Sequence, residues 1–228
     1  MIRLDRVTRT FPGPQPRTVL GGVSLDVAAG ELVAIVGESG TGKSTLLNLV
    51  AGLDRPDAGT VTVAGTALAH LDDDALTRFR RERIGFVFQA FHVLPHLSVA
   101  QNVALPLALL GQWGSDADQR VAAMLAAVGL AERGASMPRE LSGGELQRTA
   151  IARALVHRPA VVLADEPTGN LDPASADVVL ALLRERVLAE GATCLIVTHS
   201  RHAAALADRS VTLGATGLAT RTAPGGPP

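Results

Sequence analysis

The sequence predicts an α/β fold, a mixed sheet core with an antiparallel β flank and a helical subdomain inserted into it. Three observations carry this. Short apolar strands alternate with helical periodicity, the pattern of a largely parallel sheet covered by helices. Near the amino terminus the strands are instead short, alternating in polarity and separated by Gly and Pro, which suits antiparallel pairing. Between residues 91 and 157 apolar positions recur at helical spacing with no strand among them. The expected flank comprises residues 3–10, 19–27 and 60–63, and the expected parallel strands are 32–36, 84–88, 161–164 and 194–198, with a last strand near Val211. A helix follows over 46–50, and 116–128 and 144–156 are helices of the inserted region. Residues 1–222 read as one domain, the helical subdomain as about 91–157, and the Pro/Gly-rich residues 223–228 as a flexible tail.

A chain of 228 residues, 47% hydrophobic and 19% charged, is large enough for one well-buried α/β core. The formal net charge of -1 gives no bulk reason to bind a polyanion, so nucleic acid is not an expected partner. The opening MIRLDRVTRT lacks the apolar run of a secretory signal, and residues 99–110 are too short and too interrupted, by Gln101, Asn102 and Pro106, to span a bilayer. The expectation is a protein that stays inside the cell and reaches a membrane only through another chain. Cys194, the single cysteine, lies in the apolar run ATCLIVTH and reads as a small buried hydrophobe. Of 21 basic residues Lys43 alone is lysine, at a place where a compact ammonium suits a phosphate.

That place is a phosphate-binding loop. The apolar strand VAIV runs into Gly37, Glu38, Ser39, Gly40, Thr41, Gly42, Lys43, Ser44 and Thr45 and then into a helix, giving G-x-x-x-x-G-K-S in strand-loop-helix context. Gly40 and Gly42 let successive N–H groups turn inward, the helix N-terminus adds its positive end, Lys43 a full charge, and the Ser44 hydroxyl a ligand for Mg²⁺. A second apolar strand ends in Asp165 and Glu166. An acidic pair at a strand end is often only a turn or a cap. Beside a phosphate loop, Asp165 is a metal holder and Glu166 a group that polarises the attacking water.

Leu141-Ser-Gly-Gly-Glu145, followed by LQRTAIARAL, resembles the signature segment of ATP-binding cassette (ABC) ATPases. Physically, Ser142, Gly143 and Gly144 open a helix and present a hydroxyl, bare N–H groups and a dipole end to an anion, while Ser142 and Glu145 can also form an ordinary capping box. The resemblance covers nearly the whole chain and implies a P-loop NTPase core. By that resemblance Gln89 senses the metal and couples the helical subdomain to a membrane partner, Asp172 lies at a dimer interface, His199 contacts the γ-phosphate, and Phe11 takes the place of a tyrosine that stacks on adenine. A core Phe beside a strand is the competing reading at position 11. The cofactors implied are ATP and Mg²⁺. The assembly implied is a head-to-tail homodimer in which each phosphate loop faces the partner's Ser142–Gly144, peripheral on the inner face of the membrane and bound to an integral permease. The wording DEPTGNLD, IGFVFQ and LPHLSVAQNV resembles one bacterial subgroup that contains lipoprotein-releasing, macrolide-exporting and cell-division ATPases. The expected activity is ATP hydrolysis that drives a separate permease; the alternative is a signalling or structural role of the cell-division type. Residues 91–107, apolar and loop-like, are the expected docking surface for the permease.

Overall fold

The computed structural model of the chain describes residues 1–214 and 217–221; the tail expected over 223–228 lies outside them. In chain order the elements are β1 (Ile2–Phe11), β2 (Arg17–Val27), β3 (Leu32–Val36), α1 (Lys43–Val50), β4 (Ala58–Val63), β5 (Thr66–Ala67), α2 (Asp73–Arg83), β6 (Ile84–Phe88), α3 (Val99–Leu109) and α4 (Ser115–Ala127). They continue as α5 (Gly143–Leu155), β7 (Val161–Asp165), α6 (Pro173–Ala189), β8 (Thr193–Thr198), α7 (Arg201–Ala205), β9 (Arg209–Gly214) and β10 (Gly217–Arg221). The chain divides into two compact units, residues 1–80 with 193–228 and residues 81–192.

In the first unit β1 pairs antiparallel with β2 and with β4, from Ile2↔Val27 and Ile2↔Val63 outward. Alternation does the work predicted of it. Ile2, Leu4, Val23, Leu25, Val27, Val61 and Val63 are buried while their neighbours face outward. β3 is apolar throughout because both its faces are buried; its edges run parallel to β8 and β9, and β10 closes against β9 antiparallel. Cys194 at the start of β8 is fully buried, and burial pushes its thiol up to about 12, so it is a small core side chain and not a reactive one. Glu31 and Arg209 form an ion pair beside β3, and the Arg209 hydrogen bond holds the Glu31 carboxyl below its usual range.

In the second unit β6 and β7 are parallel, in register from Ile84↔Val161 to Phe88↔Asp165. α5 packs closely on β6: a Cβ on Gly85 would collide with the Ala154 carbonyl. No strand falls between residues 91 and 157. The helices expected at 116–128 and 144–156 appear one residue earlier, as α4 and α5.

Residues 91–107 differ from expectation. Residues 99–107 are not a loop-like surface but the greater part of α3, whose Val99, Val103 and Leu107 have no exposed area. Pro106 lies inside this helix. A complete capping box between Ser98 and Gln101 starts α3 despite it. Asn102, fully buried, then ties the preceding segment down: its amide nitrogen donates to the carbonyls of Leu94, Leu97 and Ser98 at 3.0–3.1 Å, and its oxygen accepts from Leu94 N–H at 2.8 Å. No helix of the described residues is long and apolar enough to cross a membrane.

Candidate functional site

The first unit builds a phosphate cradle from backbone. β3 delivers Gly37, where a Cβ would lie 2.6 Å from the Leu213 carbonyl oxygen, so only glycine lets the loop leave the strand there. Gly40 and Gly42 adopt φ of 79° and 99°. At Gly42 a Cβ would also meet the Val19 side chain at 2.6 Å, a close approach that glycine alone permits. Gly42 is the N-cap of α1 and supplies no side-chain cap, so the positive end of a helix dipole stands at the close of the loop. Lys43 is buried to 8% exposure, and its Nζ donates to the Gly37 and Glu38 carbonyls at 2.8 Å each, which lays the ammonium across the inside of the loop. Thr41 Oγ1 donates to the Glu38 carbonyl at 2.9 Å, and the Arg17 guanidinium to the Gly40 carbonyl at 3.0 Å. Ser39 and Ser44 are exposed, and Thr45 half-buried.

His199 follows the end of the strand that neighbours β3. Val36 pairs with Thr198 in the parallel β3–β8 ladder, so one residue further on the two strands deliver Gly37 and His199 at corresponding places. His199 is exposed, and Ser200, the next residue, caps α7 by accepting from Ala203 N–H at 3.2 Å. Phe11, at the end of β1, is 41% exposed, which overturns the core reading of that ring.

The second unit repeats the device. Phe88 pairs with Asp165, and the next residues are Gln89 and Glu166. Glu166 holds a φ of 44°, the left-handed region that a non-glycine residue occupies only where its surroundings require it, and such strain gathers at functional positions. Gln89 Nε2 donates to Asn170 Oδ1 at 3.2 Å, and Asn170 Nδ2 returns a bond to the Gln89 carbonyl at 3.0 Å. Gly169 makes room for this, since a Cβ there would lie 2.6 Å from Gln89 Nε2. Sequence reading missed Asn170, a polar residue inside a motif already assigned to its neighbours. It also missed Gln147 and Arg153 on α5, which donate to the carbonyls of Phe88, Phe91 and His92; the last two residues have positive φ.

The N-terminus of α5 carries the capping box that its sequence offers. Glu145 N–H donates to Ser142 Oγ at 3.3 Å, and Glu145 Oε2 accepts from Ser142 N–H at 2.9 Å and from its hydroxyl at 2.8 Å. The Ser142 backbone N–H and hydroxyl hold the Glu145 carboxyl below its usual range, with Arg133 at 3.2 Å adding charge. Gly143 lies against Leu171, and Gly144 against Ser175. Asp172 caps α6 by accepting from Ser175 N–H at 3.0 Å, and hydrogen bonds from Ser175 lower its pKa.

Mg²⁺ suits the donors available. Ser44 offers a hydroxyl, Asp165 a carboxylate and Gln89, its nitrogen engaged with Asn170, an amide oxygen, all hard ligands. Among the described residues no cluster of three or more His, Cys, Asp or Glu forms a protein cage for a metal.

Comparison with known proteins gives one answer. The ABC transporter family model matches residues 20–169. The chain is 50% identical over 214 residues to the lipoprotein-releasing system ATP-binding protein LolD of Chromohalobacter salexigens, covering 93% of this chain and 90% of that protein. It is 48% identical over 212 residues to the macrolide export ATP-binding/permease protein MacB of Burkholderia pseudomallei, of which it spans 32%. Among solved structures it is similar to the dimeric ATP-binding cassette MJ0796 in a post-hydrolysis state with ADP and Pi, with a TM-score of 0.88 and 38% identity over 99% of this chain and 100% of that one. With a phosphate loop, a capped LSGGE helix and an acidic strand end in the order and context that this family requires, the chain belongs to the ABC transporter family, as an ATP-binding ATPase subunit similar to LolD and to the cassette of MacB.

Proposed function

We propose that the chain works as a head-to-tail homodimer, peripheral on the inner face of the membrane, that hydrolyses ATP to drive a separate permease of the lipoprotein-release or macrolide-export type. The observation that carries this is the presence in one chain of one phosphate loop on α1 and one capped, anion-facing helix end on α5. A two-fold dimer pairs each with the other's counterpart and gives two equivalent sites. Similarity to a dimeric cassette and to LolD and MacB supports the reading.

In this proposal the loop N–H groups and Lys43 bind the β- and γ-phosphates, Phe11 stacks on adenine, and the partner's Ser142, Gly143 and Gly144 close on the γ-phosphate, with Asp172 at the interface. Ser44, Gln89 and Asp165 would hold Mg²⁺, which when bound would neutralise phosphate charge. Glu166 accepts a hydrogen bond from the attacking water and orients it toward the γ-phosphorus, and His199 steadies the γ-phosphate oxygens; the water oxygen bonds to phosphorus as the bond to the β,γ-bridging oxygen breaks, the water proton passes by way of Glu166 to the phosphate formed, and ADP and phosphate are left. Loss of the γ-phosphate removes the charge that the interface was holding, and the dimer opens. Gln89, tied to Asn170, lies where opening is passed to the permease.

Light scattering of wild type and Glu166→Gln with Mg²⁺-ATP, alongside phosphate release, tests the proposal. The expected result is a stable dimer of the variant with phosphate release reduced by at least about 100-fold, the scale on which a positioned general base acts. A chain that remains monomeric in both forms while hydrolysing ATP would overturn it.

A further inference from the structure

Phe11 differs from a tyrosine in having only the faces and edge of its ring with which to bind or be held, and the chain contains no tyrosine at all. One face is already occupied. Arg9, two residues back on β1, places its guanidinium carbon over the Phe11 ring, 5.2 Å from the centroid. The guanidinium is itself fixed: Nε donates to Asp54 Oδ2 at 2.9 Å, Nη2 lies 2.9 Å from Asp54 Oδ1, and Nη1 donates to Asp57 Oδ1 at 2.8 Å. Asp57 is held in turn, its Oδ2 accepting from Thr10 N–H at 2.6 Å and its own N–H donating to the Thr8 carbonyl at 2.9 Å. Asp54 N–H donates to the Asn48 carbonyl at 3.3 Å, within α1. A continuous set of contacts thus runs from the phosphate loop along α1 to Asp54 and Asp57, through Arg9, to the Phe11 ring.

We propose that Arg9 is a positioning residue for the nucleotide: it backs one face of Phe11, presents the other to the purine base, and fixes that ring at a set distance from the phosphate loop. The inference rests on the reading of Phe11 as the adenine platform. A cation on one face draws π density from the ring and favours an electron-rich purine on the other, and a ring fixed before binding loses little freedom when the base arrives. Arg9 acts through Phe11 and touches no phosphate.

Steady-state ATPase measurements on the full chain test this, with wild type, Arg9→Ala, Arg9→Lys, Phe11→Ala and the Arg9→Ala/Phe11→Ala pair, and with inorganic tripolyphosphate as a competitor that has phosphates and no base. Arg9→Ala is expected to raise KM for ATP roughly three- to tenfold, with kcat within about twofold and tripolyphosphate inhibition unchanged. Arg9→Lys keeps a charge for Asp54 and Asp57 but not the flat guanidinium; it guards against a folding defect and is expected to shift KM in the same direction. In the Phe11→Ala background the Arg9 effect should vanish. An unchanged KM in Arg9→Ala and Arg9→Lys, an equal loss of tripolyphosphate inhibition, or an undiminished Arg9 effect without Phe11 would overturn the inference. Phe11→Ala with wild-type KM would instead remove Phe11 as the platform, while failure of the wild type to hydrolyse ATP would remove the functional reading itself.

Discussion

Side chains whose chemistry is fixed by a motif were legible from sequence; side chains that serve the backbone were not. Lys43 belongs to the first kind, because a lone lysine between a glycine and a serine at the head of a helix has one good use. Asn102 belongs to the second. In the sequence it only interrupts an apolar run, yet in the structure it is fully buried and makes four hydrogen bonds to residues 94–98. Asn102→Leu, close in volume, removes the amide partner of the Leu94 N–H and the Leu97 carbonyl, while the Leu94 and Ser98 carbonyls keep backbone donors, and is expected to lower unfolding stability by about 1–3 kcal/mol in urea titrations. A loss below about 0.5 kcal/mol would show that water replaces the amide without cost. Arg153 and Gln147 teach the same lesson, since helical periodicity says which face of α5 is buried and nothing about which carbonyls a buried polar group meets there.

At the scale of elements, the parallel strands were read almost to the residue, because β3, β7 and β8 are buried on both faces and their apolar runs end where the chain turns. α2 and α6 were not read, since charge dominates one and the Pro-Ala-Ser opening of the other looks like loop until Asp172 is seen to cap it. The α5 cap was legible and has a consequence in pH. Hydrogen bonds from Ser142 lower the Glu145 pKa from an ordinary 4.5, so its contribution is complete above that value and is lost as pH falls through the lower, folded-state pKa. Urea unfolding between about pH 6 and about pH 3.5 should show wild type more stable than Glu145→Gln at the upper end and the difference closing below about 4.5. A gap that stays constant across the range would assign the cap to the Ser142 hydroxyl alone.

For the whole molecule, Cys194 is a reporter placed by the fold. Its thiol is fully buried, and burial raises its pKa to about 12, so labelling by a thiol reagent requires the first unit to open. If ATP binds only the folded state, a hundredfold excess over Kd should slow labelling by about 100-fold, equivalent to about 2.7 kcal/mol; labelling indifferent to ATP would mean that Cys194 is reached by a local opening that leaves the nucleotide bound. The sequence by itself determined the α/β class and the family, and it located the phosphate-loop and signature motifs, because those depend on local patterns: apolar runs, glycines at fixed spacing, a capping box. Only the tertiary structure decided that Val36 lies beside Thr198 and Phe88 beside Asp165, so that Gly37 and His199, and likewise Gln89 and Glu166, follow the ends of neighbouring parallel strands. Strand register is set by packing between segments far apart in the chain, and no local pattern encodes it.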